Sequence, residues 1–186
     1  KKPFYIKGNT ADLGGGISPS GDSFVVNGSC IIEENTARMA GGGVYIDYIS
    51  TWCIFNSATI TKNTSPQGGG ICLNKKNNFG NELEISGGTT IIGNTSSDDG
   101  SPSNLYLMNG KKFQFRKGMT GTEKVGVSVS KTPTFTEPVD IEYVFNETWH
   151  DPVGDRSNFI IPDNDDYKVI YKNKEQWLVL KPSLTL

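Results

Sequence analysis

Acidic side chains are the first residues to weigh for chemistry in this chain of 186 residues. Asp163-Asn164-Asp165-Asp166 and Asp98-Asp99 are runs of oxygen ligands of the sort that can enclose Ca2+. Each lies beside Gly or Pro, where Asp and Asn also serve as plain turn formers. Neither shows the spacing of a calcium loop or of a glycine-rich calcium repeat. Asp163, Asp165 and Asp166 therefore stand as weak metal candidates, and no metal or other cofactor is expected. The single histidine, His150, adjoins Asp151, but adjacent strand residues point to opposite faces, so the pair makes no triad. Elsewhere the acids Asp12, Asp22, Glu33, Glu34, Asp47, Glu82 and Glu84 are scattered. They give no paired carboxylates of the glycoside-hydrolase type, and no catalytic residue is assigned.

Contact chemistry is better represented. Tyr45, Asp47 and Tyr48 lie close to Trp52, and aromatic rings stack on sugars or anchor protein partners. Lys75 and Lys76 stand in a polar insertion, Asn74-Lys75-Lys76-Asn77-Asn78, and solenoid insertions often decorate the binding face. Tyr45, Asp47, Tyr48, Lys75 and Lys76 are the ligand-binding candidates, whereas Trp52 is assigned to the core. Cys30, Cys53 and Cys72 are spaced by 23 and 19 residues, which matches no zinc pattern. They read as small buried hydrophobes, with a disulfide between neighbouring coils left open.

The element that must position these groups is a repeat. The phrase Ile-x-x-Asn-Thr-(Ala/Ser) begins at Ile6, Ile32, Ile60 and Ile91, and its asparagines Asn9, Asn35, Asn63 and Asn94 lie 26, 28 and 31 residues apart. Recurrence at such a period signals a solenoid. Gly14-Gly15-Gly16, Gly41-Gly42-Gly43 and Gly68-Gly69-Gly70 follow the first three copies. Counted back from each Asn, apolar residues recur at odd offsets: Ile6, Ile32, Ile60 and Ile91, then Val26, Ile54 and Ile85, then Phe24, Trp52 and Leu83. That is the period-two pattern of strands with one face inward.

A unit this short cannot bury its own core and must stack on its neighbours. The expected fold is all-β: a right-handed parallel β-helix of about 4–5 coils with three short strands each. Ile6, Ile32, Ile60 and Ile91 would form one core stack, and Phe24, Trp52 and Leu83 another. The Asn-Thr pairs would form ladders at a turn, with Asn tolerating a left-handed backbone there. Residues 1–131 read as the repeats and 132–186 as a C-terminal cap. The cap ends in a hairpin of Tyr167-Lys168-Val169-Ile170-Tyr171 and Gln176-Trp177-Leu178-Val179-Leu180. Because Phe4-Tyr5-Ile6 reads as the last strand of a coil, further coils of the same chain are expected upstream.

A net charge of −2 does not steer toward nucleic acid or an anionic membrane, and no apolar run is long enough for a membrane span. The repeats resemble those of the chlamydial polymorphic membrane proteins and related autotransporter-like surface proteins. Gly15-Gly16-Ile17, Gly42-Gly43-Val44, Gly69-Gly70-Ile71 and Phe24-Val25-Val26-Asn27 carry the likeness, with Gly where that family has Ala. The looser Gly-Gly-Gly-Ile and Ile-x-x-Asn-Thr repeats of large gut-bacterial surface proteins are similar as well. This resemblance implies a secreted or cell-surface location and a non-catalytic adhesin or stalk that meets a glycan or protein ligand. The alternative is a carbohydrate-active β-helix, either a polysaccharide lyase or hydrolase or its glycan-binding module.

Overall fold

The computed structural model stacks the repeats with like residues above like. It describes residues 2–74, 83–108, 110–134, 136–141, 155–173 and 175–181, and of residues 22 and 48–52 the backbone alone. The strands among them, in chain order, are β1 (Phe4–Lys7), β2 (Thr10–Leu13), β3 (Ser20–Glu33), β4 (Thr36–Ala40), β5 (Val44–Ile46), β6 (Tyr48–Thr61), β7 (Ile71–Leu73) and β8 (Leu83–Ser86). They continue as β9 (Thr90–Ile91), β10 (Leu105–Leu107), β11 (Phe113–Phe115), β12 (Lys124–Val129), β13 (Val139–Asp140), β14 (Ile160–Pro162), β15 (Tyr167–Lys172) and β16 (Glu175–Leu180). The solenoid strands pair in parallel, coil upon coil, as a parallel β-helix.

Three rows of side chains fill the interior. Ile6, Ile32, Ile60, Ile91, Val125 and Ile160 are successive register partners along β1, β3, β6, β9, β12 and β14. The second row runs Ile17, Val44, Ile71, Leu105 and Val127. The third carries Phe24, Cys53, Leu83 and Phe113 beside Val26, Phe55, Ile85 and Phe115. Ile32, Ile60 and Ile91 are all 0% exposed, and each such side chain stabilises the stack by roughly 1.5–3 kcal/mol.

The third row corrects one expectation. Cys53 and Phe55, not Trp52 and Ile54, lie between Phe24 or Val26 and Leu83 or Ile85. The cause is a shortened corner. Gly28 and Ser29 bridge Asn27 and Cys30, whereas Ser57 alone, at φ 64°, bridges Asn56 and Ala58. Counting back from Asn63 across that corner therefore slips by one residue, which turns a strand over.

The asparagines form a continuous ladder. Asn9, Asn35 and Asn63 each donate from the backbone N and from Nδ2 to Oδ1 of the next asparagine, at 2.9–3.0 Å. Asn35, Asn63 and Asn94 are at most 1% exposed. The left-handed residue is not the asparagine, as expected, but the one before it: Gly8, Glu34, Lys62 and Gly93 have φ between 56° and 72°. That kink turns the following carboxamide inward.

The triple glycine has three separate causes, seen in the second copy. Gly41 has φ 68°, a Cβ on Gly42 would lie 2.4 Å from the Gly69 carbonyl oxygen, and one on Gly43 would lie 3.1 Å from Asn63 Nδ2. The third glycine thus leaves room both for the Gly70 carbonyl oxygen, 2.7 Å from such a Cβ, and for the ladder amide.

Beyond residue 131 the helix does not stop at once. β14 adds to β12 in parallel, and the Phe113 N–H bonds to the Ile141 carbonyl. β13, β16 and β15 then form a three-stranded antiparallel sheet, with the expected hairpin pairing Tyr167 to Leu180 and Lys172 to Glu175.

Asn63→Ala removes the acceptor of two bonds from Asn35 and the donor to Ile32 O and Asn94 Oδ1. Its expected cost is about 4 kcal/mol in denaturant unfolding, because several buried polar groups lose partners together.

Candidate functional site at the cap junction

The ladder changes its supplier in the fourth coil. Asn94 donates from N and Nδ2 to Asn104 Oδ1, both at 3.0 Å. Asn104 occupies the place of a third glycine: the Ile71 N–H bonds to its carbonyl just as the Val44 N–H bonds to that of Gly70. The side chain that would have struck the ladder has become its next rung. Asn104 in turn donates from N to Asp163 Oδ2 at 2.7 Å and from Nδ2 to Asp163 Oδ1 at 2.6 Å. A Cβ on Gly126 would lie 2.4 Å from Asn104 Nδ2 and 2.6 Å from Asp163 Oδ1, so glycine again makes the room.

Asp163 closes the ladder with a carboxylate, and Ser128 Oγ adds a third donor at 2.5 Å. Burial nevertheless outweighs these donors and holds the Asp163 carboxyl above its usual range. Around it opens a cleft of about 480 Å³, flanked by Asp99, Ser128, Pro133, Asp165 and Tyr167. Ser101 donates to Asp99 from Oγ at 2.6 Å and from N at 2.9 Å, which keeps Asp99 below the ordinary carboxylate value. Carboxylate acceptors beside a tyrosine and a proline suit a polyhydroxylated ligand, held by hydrogen bonds and ring contact.

The metal candidates separate. Both Asp163 oxygens accept protein donors, Asn164 Oδ1 caps the Asp166 N–H at 2.8 Å, and the Asp165 carbonyl accepts a bond from Lys181 Nζ. Asn164 and Asp166 thus make an Asx turn. Among the described residues no group of three His, Cys, Asp or Glu side chains is placed to hold a metal ion.

The proposed contact residues are placed in part. Tyr45 lies in β5, in register with Cys72 and Tyr106, is 8% exposed, and accepts a bond from Asn74 Nδ2 at 2.8 Å. Its ring packs with Ala40 and Cys72. Asp47 follows it, half-buried, and Tyr48 opens β6 by its backbone. Lys75, Lys76 and His150 lie outside the described residues.

Cys30, Cys53 and Cys72 are all buried, and none forms a disulfide. No two are register partners: Cys30 meets Ala58, Cys53 meets Phe24 and Leu83, and Cys72 meets Tyr45 and Tyr106. Burial first, and then the charge of Asp47, push the Cys72 thiol up to about 12.

Sequence reasoning missed Asn104 and the role of Asp163. Aligning strand starts, Asn104-Leu105 with Gly70-Ile71, would have found the first. The second depends on a contact across 59 residues, which no local pattern announces. No described helix is long and apolar enough to cross a membrane. Comparison of the chain with protein-family models, curated proteins and solved structures gives no match.

Asp163→Ala leaves two buried Asn104 donors without acceptors and is expected to cost about 3 kcal/mol in denaturant unfolding, with faster hydrogen exchange at the Asn104 amide. A thiol-disulfide reagent should leave Cys72 unmodified in the native chain and titrate it only after unfolding, since the thiolate is the reacting form and burial holds this thiol protonated.

Proposed function

We propose that the chain is a non-catalytic β-helix module, an adhesin or rigid stalk within a larger secreted or surface-exposed bacterial protein. The observation that carries this reading is that the asparagine column and several surface charges of the solenoid are committed to neighbouring coils. The amide ladder runs inside and ends on Asp163. On the surface Lys7 bridges Glu33 and Glu34 at 3.0 Å, and Arg38 meets Asp12 at 2.8 Å, each across one coil. Exposed pairs of this kind add little stability, but they occupy carboxylates that general acid or base work would need poised toward a substrate. The resemblance of the repeats to those of surface proteins supports the location. In-register rows make a stiff scaffold on which weak contacts to a glycan or protein add through avidity.

The cap cleft favours a second reading, a glycan-binding module of a carbohydrate-active protein. Its volume of about 480 Å³ falls in the range of small-molecule sites, and Tyr167 and the flanking carboxylates supply the chemistry.

The test exposes the whole chain to a glycan array and to a panel of neutral and acidic polysaccharides. No depolymerisation is expected, and reproducible turnover would overturn the non-catalytic reading. Glycan binding lost in Tyr167→Ala, with the fold intact by circular dichroism, would locate the ligand in the cleft. Binding that survives the change would exclude the cleft and make Tyr48, Lys75 and Lys76 the next residues to substitute.

A further inference from the structure

Glu84 and Gln114 face away from the solenoid core yet are closed off from solvent. They are register partners on β8 and β11, set between the inward residues Leu83 and Ile85 and the inward residues Phe113 and Phe115, and are 1% and 2% exposed. Gln114 Nε2 donates to Glu84 Oε1 at 2.7 Å. The remaining two oxygens, Glu84 Oε2 and Gln114 Oε1, are buried and have no hydrogen-bond partner among the described residues. Ile54, the register partner of Glu84 on β6, has no polar side-chain group to offer. Among the described residues Arg116 is the charged group that faces Glu84: its Nη1 lies 3.5 Å from Oε2, and its side chain is 35% exposed. Farther along the same face of β11, Lys112 is paired with Asp140 and Glu175.

A second glutamate of the chain is equally buried and shows what an ionised one requires. Glu123 is also 1% exposed, and it accepts from the Gly88, Thr120 and Gly121 N–H groups at 2.8–2.9 Å. Burial pushes its carboxyl up, but these backbone donors outweigh burial and hold it below the ordinary range. Glu84 has one amide donor and a partly exposed guanidinium instead. There burial outweighs Arg116 and Gln114, and the carboxyl is raised. Ionised, Glu84 would leave Gln114 Oε1 buried without a donor, which is the costly way to lose a hydrogen bond. One proton removes both deficits. A carboxylic acid and a primary amide each present a donor beside an acceptor, so a proton on Oε2 completes a two-bond ring that the bond from Nε2 to Oε1 has half closed.

We infer that Glu84 is protonated in the folded chain and donates from Oε2 to Gln114 Oε1, making an acid–amide clasp between adjacent coils that opens when the proton leaves. The proton then passes to solvent, the bond to Gln114 Oε1 breaks, and Oε2 turns to Arg116 while the bond from Nε2 to Oε1 stays. The clasp lies where β8 meets β11, and β11 is tied to the cap sheet through Lys112, Asp140 and Glu175, so its opening loosens the joint between solenoid and cap. The folded chain keeps a proton that the unfolded chain releases. The contribution is therefore full below the free-glutamate value of about 4.3 and is lost as pH rises through the folded value. It favours the folded module in acidic surroundings. Asp163, also raised, acts in the same sense, and Glu123, held low, acts in the opposite one, so Glu84 must be isolated by difference. The clasp is independent of whether the module is an adhesin or a glycan binder.

The test compares denaturant unfolding of the whole chain with that of Glu84→Gln across pH. A glutamine at this place can close the same ring with Gln114 and has no proton to lose, so the variant keeps the clasp at every pH. The ratio of the parent's unfolding constant to the variant's should be flat in acid. It should then rise by up to about tenfold per pH unit between the free-glutamate value and the folded one. A ratio that stays flat throughout overturns the proposal. Carbon-13 NMR of the parent gives a reading that does not need the variant to fold. The Glu84 carboxyl carbon should titrate above about 4.3, and the Gln114 side-chain amide should shift with the same midpoint. A carboxyl that titrates at or below the free value overturns the proposal and assigns Glu84 to Arg116 as an ion pair. A Gln114 amide that ignores the titration overturns the ring.

Discussion

A carboxamide buried between stacked chains must be satisfied on both sides, and this requirement organises the molecule. Asn35 and Asn63 each accept at Oδ1 from the coil before, while Nδ2 donates both to the next asparagine and back to an isoleucine carbonyl of the coil before. That arrangement fixes the vertical register of neighbouring coils, since a shift of one residue would leave several buried polar groups unpaired at once. Hydrophobic contact alone is non-directional and would let the isoleucine row slide. The left-handed residue before each asparagine and the third glycine after it both follow from the need to aim and house the amide.

The repeat made the inward isoleucines, the parallel stacking, the asparagine ladder and the terminal hairpin legible, because identical residues at equivalent places can only be satisfied by like neighbours. Legibility failed where the corner changed length. Ser57 does alone what Gly28 and Ser29 do together, so an alignment that fixed the asparagines put Trp52 and Ile54 where Cys53 and Phe55 belong. It failed again at the cap. Asp163 sits in a run that reads as a turn or a metal cluster, and only its distant partner Asn104 discloses that it ends the ladder.

The candidate cleft owes its character to that same termination. A carboxylate is the natural last partner for a column of donors, and placing one there concentrates acceptors at the junction of solenoid and cap. Asp99 and Asp165 flank it from turns that the regular coils lack. Acceptors therefore collect where stacking stops, while the amide column in the body of the helix stays engaged from rung to rung.

The unequal spacing of the asparagines, 26, 28 and 31 residues and then only 10 from Asn94 to Asn104, carries a separate consequence. The rung is defined by a corner and not by the length of chain between corners. Loops between rungs can grow or shrink without disturbing the column, as long as an amide returns to the same corner. Variation in surface and constancy of axis are thereby uncoupled: the exterior is free to diversify coil by coil while the internal spine keeps one design.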